Sequence, residues 1–119
     1  MIARTSAMIW KQEIPWPIAA DGRIELDLPS GAKILDFALL PDPVDVRGAP
    51  RPRPAIWFLF AAPSLELEKR TFIACATGER FPEHRGRFVY IGTAPIRREF
   101  DVLVVHLFEL LAGPDGVLG

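Results

Sequence analysis

Strict alternation of apolar and polar side chains marks Arg23–Leu28, where Ile24, Leu26 and Leu28 face one way and Arg23, Glu25 and Asp27 the other. A period of two is the repeat of an extended chain with one face buried, so this stretch predicts a half-buried strand. Six further segments predict strands. Ala7–Ile14 sets Trp10, Gln12 and Ile14 against Ile9, Lys11 and Glu13. Pro15 and Pro17 end it, because proline has no N–H to give to a ladder. Lys33–Leu40 puts Leu35, Phe37 and Leu39 on one face. Ile34, Leu35, Ala38 and Leu39 also fit a helical spacing, but the short length and flanking turn residues favour strand. Ala55–Ala62 is continuously apolar, as an inner strand covered on both faces would be. Lys69–Thr77 alternates Thr71, Ile73 and Cys75 against Phe72, Ala74 and Ala76. The stretch Gly86–Glu109 holds the last two, Phe88–Thr93 and Val102–Phe108, joined by a polar connector carrying Arg97 and Arg98. Both faces of Val102–Phe108 are apolar, which places this strand at the centre of a sheet.

The connectors carry turn chemistry. Asp21-Gly22 and Pro29-Ser30-Gly31 supply glycines able to take positive φ. Pro41–Pro54 is proline-rich and leans toward polyproline geometry, either a functional loop or a tolerated insertion. Pro63–Glu68 reads as a turn or one helical turn, with Ser64 as its possible N-cap. Gly78–Arg87 is a polar connector, and residues 112–119 form a loose tail. Together these predict one domain over residues 1–119, with its core in residues 8–110. The fold class is all-β or mainly β, an antiparallel sandwich or barrel of about seven strands with at most one short helix.

Charge changes this picture only locally. With 14 basic and 15 acidic side chains the chain is nearly neutral, which argues against a nucleic-acid partner. Residues 47–98, however, hold ten basic against four acidic side chains, and eleven of all fourteen cations are arginine. Arginine makes forked contacts to carboxylate or phosphate. Arg47, Arg51 and Arg53 lie in one connector, Arg80, Arg85 and Arg87 in another, and Arg97 and Arg98 in a third. Gathered at one end of the sheet, Arg80, Arg85, Arg87, Arg97 and Arg98 would rim a ligand site with Tyr90 and Trp57, with Phe81 beside them. Three unrelated solvated loops are the plainer reading.

The remaining chemistry is sparse. The lone Cys75 excludes an internal disulfide and lacks neighbours that would activate a thiol. His106, amid Val and Leu, reads as a core or interface histidine with one satisfied nitrogen rather than a general base or metal ligand. His84 with Glu79 and Glu83 has no diagnostic metal spacing. There is no GxGxxG, Walker-type loop or nucleophile elbow, so no cofactor, metal or catalytic residue is expected, and no enzyme activity. Neither an N-terminal apolar targeting segment nor an apolar run of bilayer length is present, so a cytoplasmic protein is the simplest expectation.

Several short motifs occur in an order that resembles a family of small phage and prophage proteins carrying a domain of unknown function. They are Ile9-Trp10-Lys11, Leu28–Leu35 (LPSGAKIL), Ile56-Trp57-Phe58, Glu68–Phe72 (EKRTF), Thr77-Gly78, Tyr90–Thr93 (YIGT) and Val105–Glu109 (VHLFE), spread over roughly residues 8–110. Two departures stand out, a longer Pro41–Pro54 loop and an arginine-richer Gly78–Arg87 connector. The resemblance implies a phage-encoded accessory protein, working in the host cytoplasm, and supplies no catalytic residues.

Three functions are compatible with these features. The first is a non-enzymatic accessory protein that binds a host protein, in host takeover or inhibition of a defence. The second is an oligomeric binder that sequesters a small nucleotide-like anionic signal through its arginines. The third is a virion structural component. The apolar strands and tryptophans of so small a chain also predict a homo-oligomer.

Overall fold

A computed structural model of the chain describes residues 6–16, 18, 21–41, 52–62, 66–81, 86–97 and 100–111. These residues form seven strands: β1 (Ser6–Glu13), β2 (Arg23–Pro29), β3 (Lys33–Leu39), β4 (Pro54–Ala62), β5 (Leu67–Ala76), β6 (Arg87–Arg97) and β7 (Val102–Leu111). They pair into a three-stranded sheet ordered β1-β4-β3 and a four-stranded sheet ordered β2-β5-β7-β6, antiparallel throughout. The described residues contain no helix, and so none long and apolar enough to cross a membrane. The all-β sandwich expected from alternation is the fold observed.

The core forms between the two sheets. Ile24, Leu26 and Leu28 of β2, Phe72 of β5, and Val105 and Leu107 of β7 meet Phe37 of β3 and Ile56 and Phe58 of β4. Period-two patterning put each of these on one side of its strand, and burial of that side drives the sheets together. The helical spacing over Ala32–Leu40 loses to strand. Leu35, expected to share a buried face with Phe37, is instead exposed. The register shifts between Ile34 and Asp36, so a bulge at Leu35 returns Ile34 and Phe37 to the inner side.

β6 is longer than the sequence pattern indicates, because Pro95 is accommodated. It lies on an edge, where proline's missing donor costs no ladder bond. A second bulge between Tyr90 and Gly92 bends β6 toward β3, and the two sheets close on that side. A Cβ at Gly92 would stand 3.3 Å from the Cβ of Phe37 and 3.4 Å from its backbone nitrogen, so a side chain there would push Phe37 back by a few tenths of an ångström, and glycine favours the close approach. β5 begins at Leu67, inside the segment expected as a turn. Most of the Pro41–Pro54 loop, Ser64 with its possible cap, and the 112–119 tail lie outside the described residues.

Candidate binding face on the four-stranded sheet

β7 is the interior strand between β5 and β6, as its doubly apolar pattern predicts. Its Val105 and Leu107 enter the core, so Val102, Val104, His106 and Phe108 point to the outer face. There they meet β6 in four successive cross-strand pairs: Tyr90 with Phe108, Thr93 with His106, Pro95 with Val104, and Arg97 with Val102. Cross-strand neighbours on one face are the pairs that touch.

An aromatic group covers one end of this face. Phe81, Phe88 and Phe108 meet edge to face, with Phe81 centred 4.8 Å from Phe88 and 5.1 Å from Phe108. Tyr90 packs against Phe108 at 5.6 Å. Phe81 arrives from the turn after β5, which is held by the Ala76 N–H donating to the Glu79 carboxylate at 2.9 Å and the Glu79 N–H donating to the Ala76 carbonyl at 3.0 Å. Beneath this cover Thr71, Ile73, Cys75 and Leu110 are buried, although they point away from the main core. Cys75 is therefore a buried strand residue, as expected. Burial pushes its thiol pKa up, and Glu79 adds to the shift.

His106 stands next to the aromatic group, half-buried, and both of its ring nitrogens are engaged. Nε2 lies 2.7 Å from the Thr77 hydroxyl and Nδ1 lies 2.9 Å from the Thr93 hydroxyl, which also bonds the Tyr90 hydroxyl at 2.5 Å. The single-nitrogen histidine of the sequence reading is thus corrected: strand pairing brings a threonine to each side. Each hydroxyl both donates and accepts, so either imidazole tautomer fits the chain. No carboxylate bonds the ring among the described residues; the row presents hydroxyls and an imidazole to whatever lies over it. Replacing His106 by Phe should lower stability by only about 1–2 kcal/mol, the net value of two exposed hydrogen bonds, measured by urea unfolding.

Among the described residues, the arginines and aromatics expected to rim a site are not all brought together. Arg87 opens β6 opposite Leu111 and Arg97 closes it opposite Val102, so the two stand on the order of 30 Å apart at strand spacing. Arg80 sits in the turn over Cys75, whose sulfur approaches its carbonyl. Arg53 is held by Glu13 in a two-pronged contact at 2.9 Å for each prong, on the other sheet. Trp57 pairs with Lys11 and Asp36 on the outer face of the three-stranded sheet, so it and Tyr90 are on opposite sides of the molecule. Arg85, Arg98, Arg47 and Arg51 lie outside the described residues, as do His84 and Glu83. No group of three metal-ligating side chains occurs among the described residues.

One cluster escaped the sequence reading. Arg70 and Glu109 face the inter-sheet space and form a two-pronged ion pair at 2.6 and 2.8 Å, and Arg70 also donates to the Ala32 carbonyl. Glu68 approaches Arg70 at 3.8 Å and accepts the Gly31 N–H at 3.1 Å. The hydrogen bond from Arg70 to Glu109 holds the Arg70 guanidinium above its ordinary range. A carboxylate at the end of an otherwise apolar strand was the available signal.

The outer face of the four-stranded sheet is therefore the richest surface chemistry described. It combines a hydrogen-bonded Thr77–His106–Thr93–Tyr90 row with Val102 and Val104, and Phe100 stands exposed in the turn beyond them. No match to the chain is found among curated proteins or among solved structures. Residues 6–115 match a domain of unknown function (DUF7352), and the chain belongs to that family.

Proposed function

We propose that this is a non-enzymatic, phage-type accessory protein that binds a host protein through the outer face of its four-stranded sheet. The carrying observation is the exposed lane along β6 and β7: Tyr90 is 56% and Val102 54% exposed, with Phe100 beyond them, beside hydroxyl and imidazole groups and Arg97. Aromatic and aliphatic side chains mixed with a few polar groups and an arginine are the make-up of protein-binding surfaces. The phage context rests on the ordered motifs from Ile9-Trp10-Lys11 to Val105–Glu109. Capture of an anionic signal has less support, because Arg87 and Arg97 are far apart and Arg53 is engaged by Glu13.

The test is recovery of tagged protein from host cells, wild type against Tyr90→Glu combined with Val102→Glu. One host protein retained in stoichiometric amount by the wild type and lost from the folded variant is the expected result. Equal retention by both would remove this face from the proposal. A native mass spectrum with a tightly held small molecule of roughly a few hundred daltons, and no protein, would replace it with the anion-binding reading.

A further inference from the structure

Of the four sheet edges, three are blunted. β3 and β6 each carry a bulge and close against one another, and β6 also contains Pro95. β2 presents Arg23, Glu25 and Asp27 in alternation and ends in Pro29. Bulges, prolines and charged side chains are the devices that stop an edge from recruiting another strand. β1 has an unbroken register over eight residues, no proline and only Lys11 and Glu13 as charges. Every one of its residues is exposed, including Ile9 at 60% and Trp10 at 61%.

The phase of its hydrogen bonding is fixed by the Ile14 N–H, which donates to the Pro54 carbonyl at 2.8 Å. Backbone groups alternate sides along a strand, so even-numbered residues of β1 bond β4 and Ala7, Ile9, Lys11 and Glu13 direct theirs to the open edge. Met8 and Trp10 pair with Phe60 and Phe58, which places them on the inner face of the three-stranded sheet, yet both are exposed. The four-stranded sheet does not cover them.

We infer that β1 is a dimer interface, filled by β1 of a second copy running antiparallel about a two-fold axis at Ile9. In this register Ile9 faces Ile9 and Ala7 faces Lys11 in hydrogen-bonded pairs, satisfying three of the four outward-pointing residues of each strand and leaving Glu13 beyond the paired stretch. Met8 faces Trp10 in the non-bonded pairs, where side chains come closest, and a thioether against an indole is a favourable contact. Ser6 faces Gln12 at the ends. No like charges oppose each other, whereas an axis at Lys11 would set two ammonium groups face to face. The result is a six-stranded sheet, within the usual size range, whose inner face carries Phe58, Phe60, Met8 and Trp10 of both copies in one apolar lane. This goes beyond the binding proposal and uses a different sheet from it.

Two measurements test it. Sedimentation of the whole chain at micromolar concentration should give twice the monomer mass, and Ile9→Pro, which removes an outward N–H, should give a monomer with an unchanged far-ultraviolet spectrum. Separately, Ile9→Cys should cross-link to a covalent dimer under mild oxidation, because residues in a hydrogen-bonded pair sit about 5.5 Å apart, within disulfide reach. Glu13→Cys, unmatched in this register, should not. A wild-type monomer at roughly 100 µM, on the weak side of the affinities of specific interfaces, overturns the inference. So does a dimer in which Ile9→Cys fails to cross-link.

Discussion

Glu109→Ala is expected to lower the unfolding free energy by about 2–4 kcal/mol, because it removes the two-pronged counter-charge of the Arg70 guanidinium and leaves only the more distant Glu68 carboxylate at 3.8 Å. Arg70 and Glu109 have side chains only 15% and 9% exposed, so solvent replaces the lost partner only in part. The Ala32 carbonyl and the Glu68 carboxylate would remain beside Arg70, but the first is neutral and the second is half-exposed and makes no short two-pronged contact. Replacing both members, Arg70→Met with Glu109→Leu, should recover most of that loss, since apolar groups of similar volume often substitute for a buried pair. Chemical denaturation of the wild type, both single variants and the double variant gives the coupling directly. A Glu109→Ala variant within about 1 kcal/mol of wild type would show that the pair is effectively solvated.

The second large effect is expected at Gly22, which has φ +72°. Its carbonyl accepts the Ala74 N–H at 2.9 Å, tying the entry to β2 against β5. A Cβ built there would stand 2.4 Å from the Ala74 carbonyl oxygen, a backbone atom that cannot rotate away. Gly22→Ala thus combines left-handed strain of about 1–2 kcal/mol with a clash that must break the local pairing. A total on the order of 3 kcal/mol is expected, in the upper range for a single substitution. Gly31→Ala is the control: its φ is +78° but nothing lies within 4 Å of the added carbon, so only the strain should register. Equal losses for the two variants, measured by thermal melts, would show that the approach to Ala74 carries no cost.

Much of this architecture is present in local pattern. Ile24, Leu26 and Leu28 alternate against charges, and they are buried as that alternation requires. Asp21-Gly22 marks a turn because glycine alone accepts positive φ freely, and Gly22 has it. The doubly apolar Val102–Phe108 run is an interior strand. Each of these depends on a residue and its near neighbours in the chain, so the amino-acid order is sufficient to determine it.

What depends on the strand opposite was decided only in the folded molecule. The bulges at Leu35 and Ile91 shift which residues share a face, and they arise where β3 and β6 must bend toward each other. Trp57 and Tyr90, both aromatic and both in strands, end on opposite sides because their strands belong to different sheets. Arg87 and Arg97, ten positions apart in the chain, become remote because an extended strand holds them at full stretch. His106 acquires two threonine partners, and Arg70 meets Glu109 across 39 positions, through pairing registers that no local pattern encodes. Alternation tells each side chain which way to face; only long-range closure of the sheets determines what it faces.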